Sequence, residues 1–418
     1  MPDDLRYVLL LFALFVVPRI LQRYRLPAAI TSFLLGAGVA FSGVELLPHG
    51  PTLPLLATFG IASMFLVAGL EVNVAELRRG ARVIVEHLAL RALVVLAAGF
   101  VVAQLLHVGA RPAALIALAL FTPSTGFILS SLPQLGVGVE EQFWIRAKAI
   151  ATELLALAIL FVVLQSTSAE RLTAATGALV VMTFVLPVAF RLFAARIAPV
   201  APRSEFAFLL MLAVVAAYIT KALGVYYLVG AFLVGAAAQS FRERLPALSS
   251  ESLVHAVEAF ASLFAPFYFF YAGTHLRPAD FPPRALWVGA LLLAVCVPLR
   301  VMLVLVHRRA AFRQPLRAGL PVALALTPTL VFSLVLAEIL RDRFAAAPWL
   351  VGALIIYTIG NTLIPGLTLQ GRASELDVLQ PDALADAGDP DTAHAGPPPG
   401  EPVAPPAVTL AQPARRSR

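Results

Sequence analysis

The sequence predicts an all-α protein that crosses a membrane many times. Of its 418 residues, 60% are hydrophobic and only 13% are charged, whereas a soluble domain is about 45–50% apolar and about 25% charged. The mean hydropathy is +0.87. Apolar runs of about 20 residues, the length that a membrane-spanning helix needs, recur along the chain. These observations exclude a soluble enzyme and a disordered chain.

Thirteen apolar runs, separated by proline, glycine and charged residues, are candidates for membrane-spanning helices. They lie at 5–22, 27–47, 54–71, 83–106, 112–132, 143–165, 172–190, 205–221, 224–241, 255–276, 285–307, 316–340 and 346–369. The first run has acidic residues before it and no small-residue cleavage site after it. We therefore expect a retained span and not a removed signal peptide.

The charges between the runs predict the orientation. The odd-numbered connections carry sixteen Lys and Arg residues, and the even-numbered connections carry seven. Basic residues collect on the cytoplasmic side of a membrane. We expect a multi-pass protein of the cell (inner) membrane, with its N-terminus outside and its C-terminus in the cytoplasm. The net positive charge of +7 is then explained by the cytoplasmic loops. We therefore expect no nucleic-acid partner.

The composition changes near residue 370, where the chain becomes rich in Pro, Ala and Asp. Such a segment has too little apolar surface to fold alone. We expect a membrane transporter domain over 1–370 and a disordered cytoplasmic tail over 371–418.

Two halves of the membrane domain resemble each other in three segments, with offsets of 199, 204 and 205 residues. The matched pairs are FLLG (33–36) with FLVG (232–235), FLVAGLEV (65–72) with FFYAGTHL (269–276), and FTPST (121–125) with LTPTL (326–330). The common order predicts a six-helix repeat over about 5–165 and a second over about 205–370. The single linking helix, about 172–190, would invert the second repeat, an arrangement found in many secondary transporters.

The third pair places proline in the middle of two spans. Pro123 follows Thr122, and Pro328 follows Thr327. Proline removes a backbone donor and clashes with the preceding turn. The pair predicts two discontinuous helices that cross near the midplane, where helix ends and hydroxyl groups could bind a small cation. The alternative is an ordinary proline kink in each span.

Four charged residues lie deep within the predicted spans, where charge is costly and usually functional. Glu153 is about ten residues into the sixth run, and a carboxylate there either pairs with a cation or takes up a proton. Arg300 cannot release its proton, so we expect it to be a fixed charge partner. A purely structural ion pair remains the alternative for both. Lys148 is expected to extend to the membrane surface, and Arg91 either to do the same or to pair.

Other polar residues carry weaker signals. Asn361, in the last run, could be a packing residue or part of the site. The single cysteine and the seven scattered histidines show no metal-ligand spacing, so we expect no resident metal and no cofactor.

Two segments resemble motifs of the monovalent cation:proton antiporter superfamily, in particular its Kef-like and bacterial sodium/proton branch. They are LATFGIASMFLVAGLEVNVAELRR (56–79) and RSEFAFLLMLAVVAAYITKALGVYYLVGAFLVG (203–235). The resemblance covers about residues 5–370. It implies thirteen helices in a dimerisation domain and a core domain, a homodimer, and two unwound core helices that cross beside an ion-binding acid. The core would move as a rigid unit.

The resemblance also implies roles for individual residues. Thr152-Glu153 matches the family's acidic pair, and Arg300 matches its late core cation. Glu replaces the usual Asp, and Thr152 stands where the family has Asp, Asn or Gln. The two crossings, Thr122 to Thr125 and Thr327 to Thr329, imply a set of ion or proton ligands. That set is Glu153, Thr152, Ser124, Thr125, Thr327 and Thr329, with Glu153 holding Na⁺ or K⁺ transiently.

The sequence therefore predicts a secondary antiporter that exchanges Na⁺ or K⁺ for H⁺ in a lipid bilayer. A single acid with a permanent Arg resembles the family's electroneutral pattern. We expect no nucleotide-binding domain of the Kef type, because the tail after residue 370 is too short and too polar. Two alternatives remain open: a sodium-coupled symporter with crossed helices, and a non-transporting sensor or scaffold that keeps the antiporter fold.

Overall fold

The computed structural model describes residues 3–42, 50–201, 204–224, 227–242, 251–313 and 315–369. The predicted disordered tail, 371–418, lies outside the described residues. Sixteen α-helices occur in the described part of the chain, and no strand does.

The first eight helices cover the part of the chain in which the first repeat is predicted. They are α1 (Asp3–Gln22), α2 (Ala28–Ser42), α3 (Thr52–Leu70), α4 (Val74–Arg79), α5 (Ala81–Leu106), α6 (Ala110–Phe121), α7 (Thr125–Ser131) and α8 (Val139–Gln165). The remaining helices are α9 (Ala169–Leu192), α10 (Glu205–Ala222), α11 (Tyr227–Arg242), α12 (Glu251–Thr274), α13 (Pro283–Phe312), α14 (Leu316–Ala325), α15 (Leu330–Phe344) and α16 (Pro348–Thr368).

Among the described residues, ten helical segments are long and apolar enough to cross a membrane, and α6 with α7 counts as one of them. The bent pair of α14 and α15 would make an eleventh. Two shorter apolar helices, Ala28–Ser42 and Leu228–Phe241, lie within or close to the predicted spans at 27–47 and 224–241. The prediction of a many-span helical membrane protein is confirmed, and the number thirteen stays a prediction.

Both predicted interruptions are present. The helix α6 ends at Phe121 and α7 begins at Thr125. The helix α14 ends at Ala325 and α15 begins at Leu330, with a bend of 52° between them. The proline in each gap lacks an N–H group and disfavours the helical conformation of the residue before it.

The interrupted helices lie in the interior. Eight of the twelve residues of α6 and ten of the fifteen residues of α15 are buried. By contrast, α1, α5, α9 and α13 expose many large apolar side chains. A buried centre surrounded by helices with apolar outer faces is expected of a protein whose outer solvent is lipid. The two helix breaks are therefore shielded from the lipid.

Two close helix contacts join the two halves of the chain. Gly36 of α2 faces Gly273 of α12, and Gly69 of α3 faces Gly235 of α11. A methyl group at any of the four positions would clash with the backbone of the opposite helix. Small residues allow such close approach of helices in membranes, so each contact fixes its helix pair with little freedom to slide.

Candidate functional site

The two interrupted helices cross at their breaks. The backbone N–H of Ser124 donates to the carbonyl oxygen of Pro328 at 2.8 Å. The Ser124 hydroxyl accepts a 3.4 Å hydrogen bond from the Val331 N–H, and the Ser333 hydroxyl donates to the Ala119 carbonyl at 2.7 Å. These bonds hold the two breaks directly against each other.

At the first break, side chains satisfy the carbonyl groups that the helix leaves without partners. The Tyr357 hydroxyl donates to the Leu120 carbonyl at 2.6 Å. The Arg91 guanidinium makes a longer contact, 3.5 Å, with the Phe121 carbonyl. Arg91 is thus a buried cap for a helix end, where a positive charge opposes the negative end of the helix dipole.

At the second break, one guanidinium holds two carbonyl groups. Arg300 donates to the carbonyls of Thr327 and Leu326 at 2.7 and 2.8 Å. It also donates to the Tyr357 hydroxyl at 3.1 Å. Within the described residues, Arg300 forms no ion pair with Glu153, although the sequence predicted a charge partner. Arg300 instead binds carbonyls at a helix end, which have no backbone partner within the helix.

The N–H ends of the two breaks also receive side-chain partners. The Glu153 carboxylate accepts a 3.2 Å hydrogen bond from the Thr125 N–H. At the second break, the Asn361 Oδ1 atom accepts from the Thr329 N–H at 3.1 Å, and Asn361 Nδ2 donates to the Thr329 hydroxyl at 2.9 Å. Matched positions therefore hold an ionisable carboxylate at the first break and a neutral amide at the second.

Glu153 is buried, with 3% of its surface exposed. No Lys, Arg or His nitrogen of the described residues lies within salt-bridge distance of its carboxylate. The Thr125 hydroxyl beside it is also buried and makes no hydrogen bond of good geometry in the described part of the chain. A buried carboxylate in this setting is stable only when it carries a proton or a cation.

The other predicted ligands differ in where their hydroxyl groups point. The Thr152 hydroxyl donates to the Lys148 carbonyl at 2.7 Å and lies 3.3 Å from His87 Nε2. The Thr327 hydroxyl donates to the Leu324 carbonyl at 2.7 Å. The breaks thus bring Ser124, Thr125 and Thr329 to the crossing, whereas Thr152 and Thr327 use their hydroxyl groups elsewhere.

The prediction for Lys148 is wrong. Its side chain is fully buried, and its Nζ atom lies 3.1 Å from His307 Nδ1. The packing of α5, α8 and α13 encloses it, so it does not reach the membrane surface. The sequence does not predict a site role for Tyr357, His87 or His307. Their polar side chains within apolar runs were the signal that could have identified them.

No group of three His, Cys, Asp or Glu side chains lies together in the described ranges. The single cysteine, Cys296, is buried in α13. Glu153 is the carboxylate that lies at the first break.

The description "Sodium/hydrogen exchanger, transmembrane" belongs to the family model that matches residues 9–372. No curated protein sequence matches the chain significantly.

Two solved structures share the fold. One is the sodium proton antiporter MjNhaP1 from Methanocaldococcus jannaschii at pH 8, with a TM-score of 0.64 and 16% identity over 87% of this chain and 97% of that one. The other, an electron-microscopy map of the same antiporter, gives a TM-score of 0.62 and 17% identity over 88% and 95%.

These structures establish the similarity of fold, and the family match establishes the class of activity. The class is a membrane transporter and not an enzyme. The chain belongs to the transmembrane sodium/hydrogen exchanger family and exchanges a cation for protons.

Proposed function

We propose that Glu153 is the site that the transported cation and the proton share. The observation that carries this proposal is a buried carboxylate at a helix break, with a backbone N–H as its hydrogen-bond partner. No basic side chain of the described residues lies within salt-bridge distance of it. Ionisable groups inside membrane proteins usually mark ion pathways.

The energetics of this carboxylate provide the coupling. A bare carboxylate costs many kcal/mol in a medium of low dielectric constant. A bound proton or a bound monovalent cation neutralises the negative charge of Glu153, whereas the carboxylate without either stays charged. Only the two loaded forms can then pass through the closed interior, so one ion moves in for each ion that moves out. The site would be exposed to the two sides in turn.

The cation would bind the Glu153 carboxylate and nearby hydroxyl groups. The carbonyl groups at the helix ends are not available to it. Arg91, Arg300 and Tyr357 already occupy carbonyls at both breaks. Glu153 and Thr125 lie together, and Ser124 and Thr329 lie at the same crossing. Both Na⁺ and K⁺ accept such oxygen ligands, and the family match favours Na⁺.

The exchange is proposed to be electroneutral. The two guanidinium groups at the breaks keep their protons and are held by carbonyl groups. Glu153 alone changes its occupant, so one proton replaces one monovalent cation. An exchange rate that responds to an imposed membrane potential would contradict this stoichiometry.

We also propose the inverted repeats, because contacts recur in matched pairs. The contact of Gly36 with Gly273 corresponds to that of Gly235 with Gly69, and Arg91 corresponds to Arg300. The excess of Lys and Arg in the odd-numbered connections would place those connections in the cytoplasm. The homodimer, the Kef-like affiliation and the choice of the inner membrane stay predictions.

Transport by purified protein in vesicles tests the site. Addition of Na⁺ or K⁺ should dissipate an imposed pH gradient, as reported by an enclosed pH dye. Glu153→Gln should reduce this rate at least about a hundredfold, because the amide does not take up or release a proton and has no negative charge to bind a cation. Glu258→Gln, which changes an exposed carboxyl group of α12, is the matched control.

Three results would overturn the proposal. An undiminished rate in Glu153→Gln would remove the site assignment. A wild-type protein that moves no protons with either cation would favour the sensor or scaffold. Sodium uptake without proton release would favour the symporter.

A further inference from the structure

One buried hydroxyl group joins the two helix breaks from a third helix. Tyr357 lies on α16 and is fully buried. Its hydroxyl donates to the Leu120 carbonyl of the first break at 2.6 Å and accepts a 3.1 Å hydrogen bond from Arg300. Arg300 in turn holds the Leu326 and Thr327 carbonyls of the second break. The carbonyl ends of both breaks are therefore connected through Tyr357.

The Leu120 carbonyl needs this donor because the break takes away its regular one. In a continuous helix the N–H of Ser124, four residues later, would donate to it. Here the Ser124 N–H donates to the Pro328 carbonyl of the other break. The Tyr357 hydroxyl therefore supplies the bond that the crossing of the two breaks removes.

Tyr357 belongs to a set of donors for the carbonyls that close α6, those of residues 118–121. In order along the chain, the donors are the Thr122 N–H, the Ser333 hydroxyl, the Tyr357 hydroxyl and the Arg91 guanidinium. Tyr357 differs from the other donors because it also accepts from the guanidinium that caps the second break. It therefore holds the end of α6 in a fixed position relative to that break.

The proposed repeats give Tyr357 no counterpart that could act in the same way. The offset of 208 residues that relates Glu153 to Asn361 also relates Ala149 to Tyr357. Ala149 is buried, and its methyl group cannot donate a hydrogen bond. The tyrosine therefore supports the break that carries the carboxylate, and position 149 cannot supply the matched bond to the other break.

A short segment connects the end of α6 to the candidate site. Residues 122–124 lead from α6 to Thr125, whose N–H donates to the Glu153 carboxylate. The hydrogen bond from the Ser124 N–H to the Pro328 carbonyl holds the far end of this segment. Because the segment is held at both ends, the hydroxyl groups beside the carboxylate have little freedom to move.

Fixed oxygen positions allow an ion site to discriminate by size. The choice between two ions of equal charge depends on cavity size, ligand number and the flexibility of the site. Groups that orient the ligands without contacting the ion typically contribute about 10–100-fold to affinity. A donor that fixes the first break therefore affects which cation the site prefers.

We propose that Tyr357 is a positioning residue that fixes the first break and thereby sets the preference of the site between Na⁺ and K⁺. It acts through Leu120 and the segment that follows α6, and it does not contact the ion. This inference rests on the proposed role of Glu153. It adds a group from α16 that determines specificity and takes no part in the exchange of charge.

The test removes the hydroxyl group alone. Tyr357→Phe keeps the ring and therefore the packing of α16. Exchange in vesicles is measured at increasing Na⁺ and at increasing K⁺, and a cation that is not transported is measured as a competitor of the other. The half-saturating concentration of the preferred cation should rise about tenfold, and the preference for it should fall at least about threefold. The maximal rate should stay within about threefold, because the carboxylate is unchanged.

Thr358→Val is the matched control. Thr358 is the next residue of α16, is buried, and donates to the Leu354 carbonyl of its own helix at 2.7 Å. Its loss should change neither half-saturating concentration by more than about twofold, because that carbonyl lies within a regular helix.

A second measurement follows binding without transport. A bound ion stabilises the folded protein, so the melting temperature in detergent should rise with the concentration of the preferred cation. Tyr357→Phe should need about tenfold more of that cation for the same rise, whereas Thr358→Val should behave like the wild-type protein.

A lower maximal rate with unchanged half-saturating concentrations would show that the hydroxyl only supports the fold, and would overturn the proposal. A Tyr357→Phe protein that does not fold would lead to the same conclusion. Equal shifts for both cations, the same shifts in Thr358→Val, or a wild-type protein without a preference would overturn it as well. Failure of the proposed function has a different outcome, namely cation-dependent melting that is unchanged in Glu153→Gln.

Discussion

The two interrupted spans, α6–α7 and α14–α15, follow one plan and differ in one group. Each has an arginine at its carbonyl end and a side-chain oxygen at its N–H end. At the second break the oxygen belongs to Asn361, whose amide makes hydrogen bonds to the Thr329 N–H, the Thr329 hydroxyl and the Thr362 hydroxyl. At the first break it belongs to Glu153, which accepts a hydrogen bond from the Thr125 N–H.

This difference suggests that the second break, with Asn361, keeps one state and that the first break, with Glu153, changes its state during transport. A neutral amide with three partners has no reason to alter its state during a cycle. A buried carboxylate with one backbone partner must be neutralised by something that arrives and leaves. The arginines follow the same division, since Arg300 binds two carbonyls closely and Arg91 makes one long contact. The exchangeable chemistry is therefore concentrated at the first break.

The largest expected effect comes from moving the acid to the other break. The double variant Glu153→Asn with Asn361→Glu should lose at least about a hundredfold in exchange rate, because the Thr329 N–H and the Thr329 and Thr362 hydroxyls already surround position 361. The vesicle assay measures it. Asn361→Asp alone should keep measurable exchange, since Glu153 remains. Normal exchange by the double variant would show that the two breaks are interchangeable.

The arginines should differ in their contribution to stability. Arg300→Leu leaves two buried carbonyls without donors and should lower the free energy of unfolding by about 3 kcal/mol or more. Arg91→Leu breaks one long contact and should cost about 1 kcal/mol. Denaturant unfolding in detergent measures both. Arg300→Lys should fall between them, because an ammonium does not match the paired geometry. Equal losses in the two leucine variants would contradict the asymmetry.

A smaller effect is expected where the breaks are tied together. Ser333→Ala removes the buried bond from α15 to the Ala119 carbonyl of α6 and should cost about 1 kcal/mol. Ser63→Ala is the matched control, since this buried hydroxyl bonds to the Gly60 carbonyl of its own helix at 2.9 Å. Ser63→Ala should lower the free energy of unfolding by less than about 0.5 kcal/mol, because the Gly60 carbonyl lies within a regular helix. A larger loss in the control would show that the crossing bond is not special.

The features that could be predicted from the sequence are those that depend on residues close together along the chain. Span positions follow from runs of apolar residues, and both interruptions follow from proline, so the fold class and Pro123 and Pro328 could be predicted. Glu153 could be singled out because its depth within a span is a matter of counting residues.

The partners of the charged residues could not be predicted in this way. The carbonyls that Arg300 binds are 26 and 27 residues away along the chain, and the partner of Lys148 is 159 residues away. Nothing in the neighbouring residues determines such pairings, because they arise from how the helices pack. The incorrect expectation for Lys148 and the undecided one for Asn361 both have this origin.

The glycine contacts have a consequence for biosynthesis. Each joins a helix of the first half to a helix that is synthesised about 200 residues later. At about 5–20 residues per second, α2 and α3 wait on the order of ten to forty seconds in the bilayer before α11 and α12 exist. During that interval their glycine faces contact lipid or other proteins of the membrane. Both contacts are thus completed only after α12, which ends at Thr274, has been made.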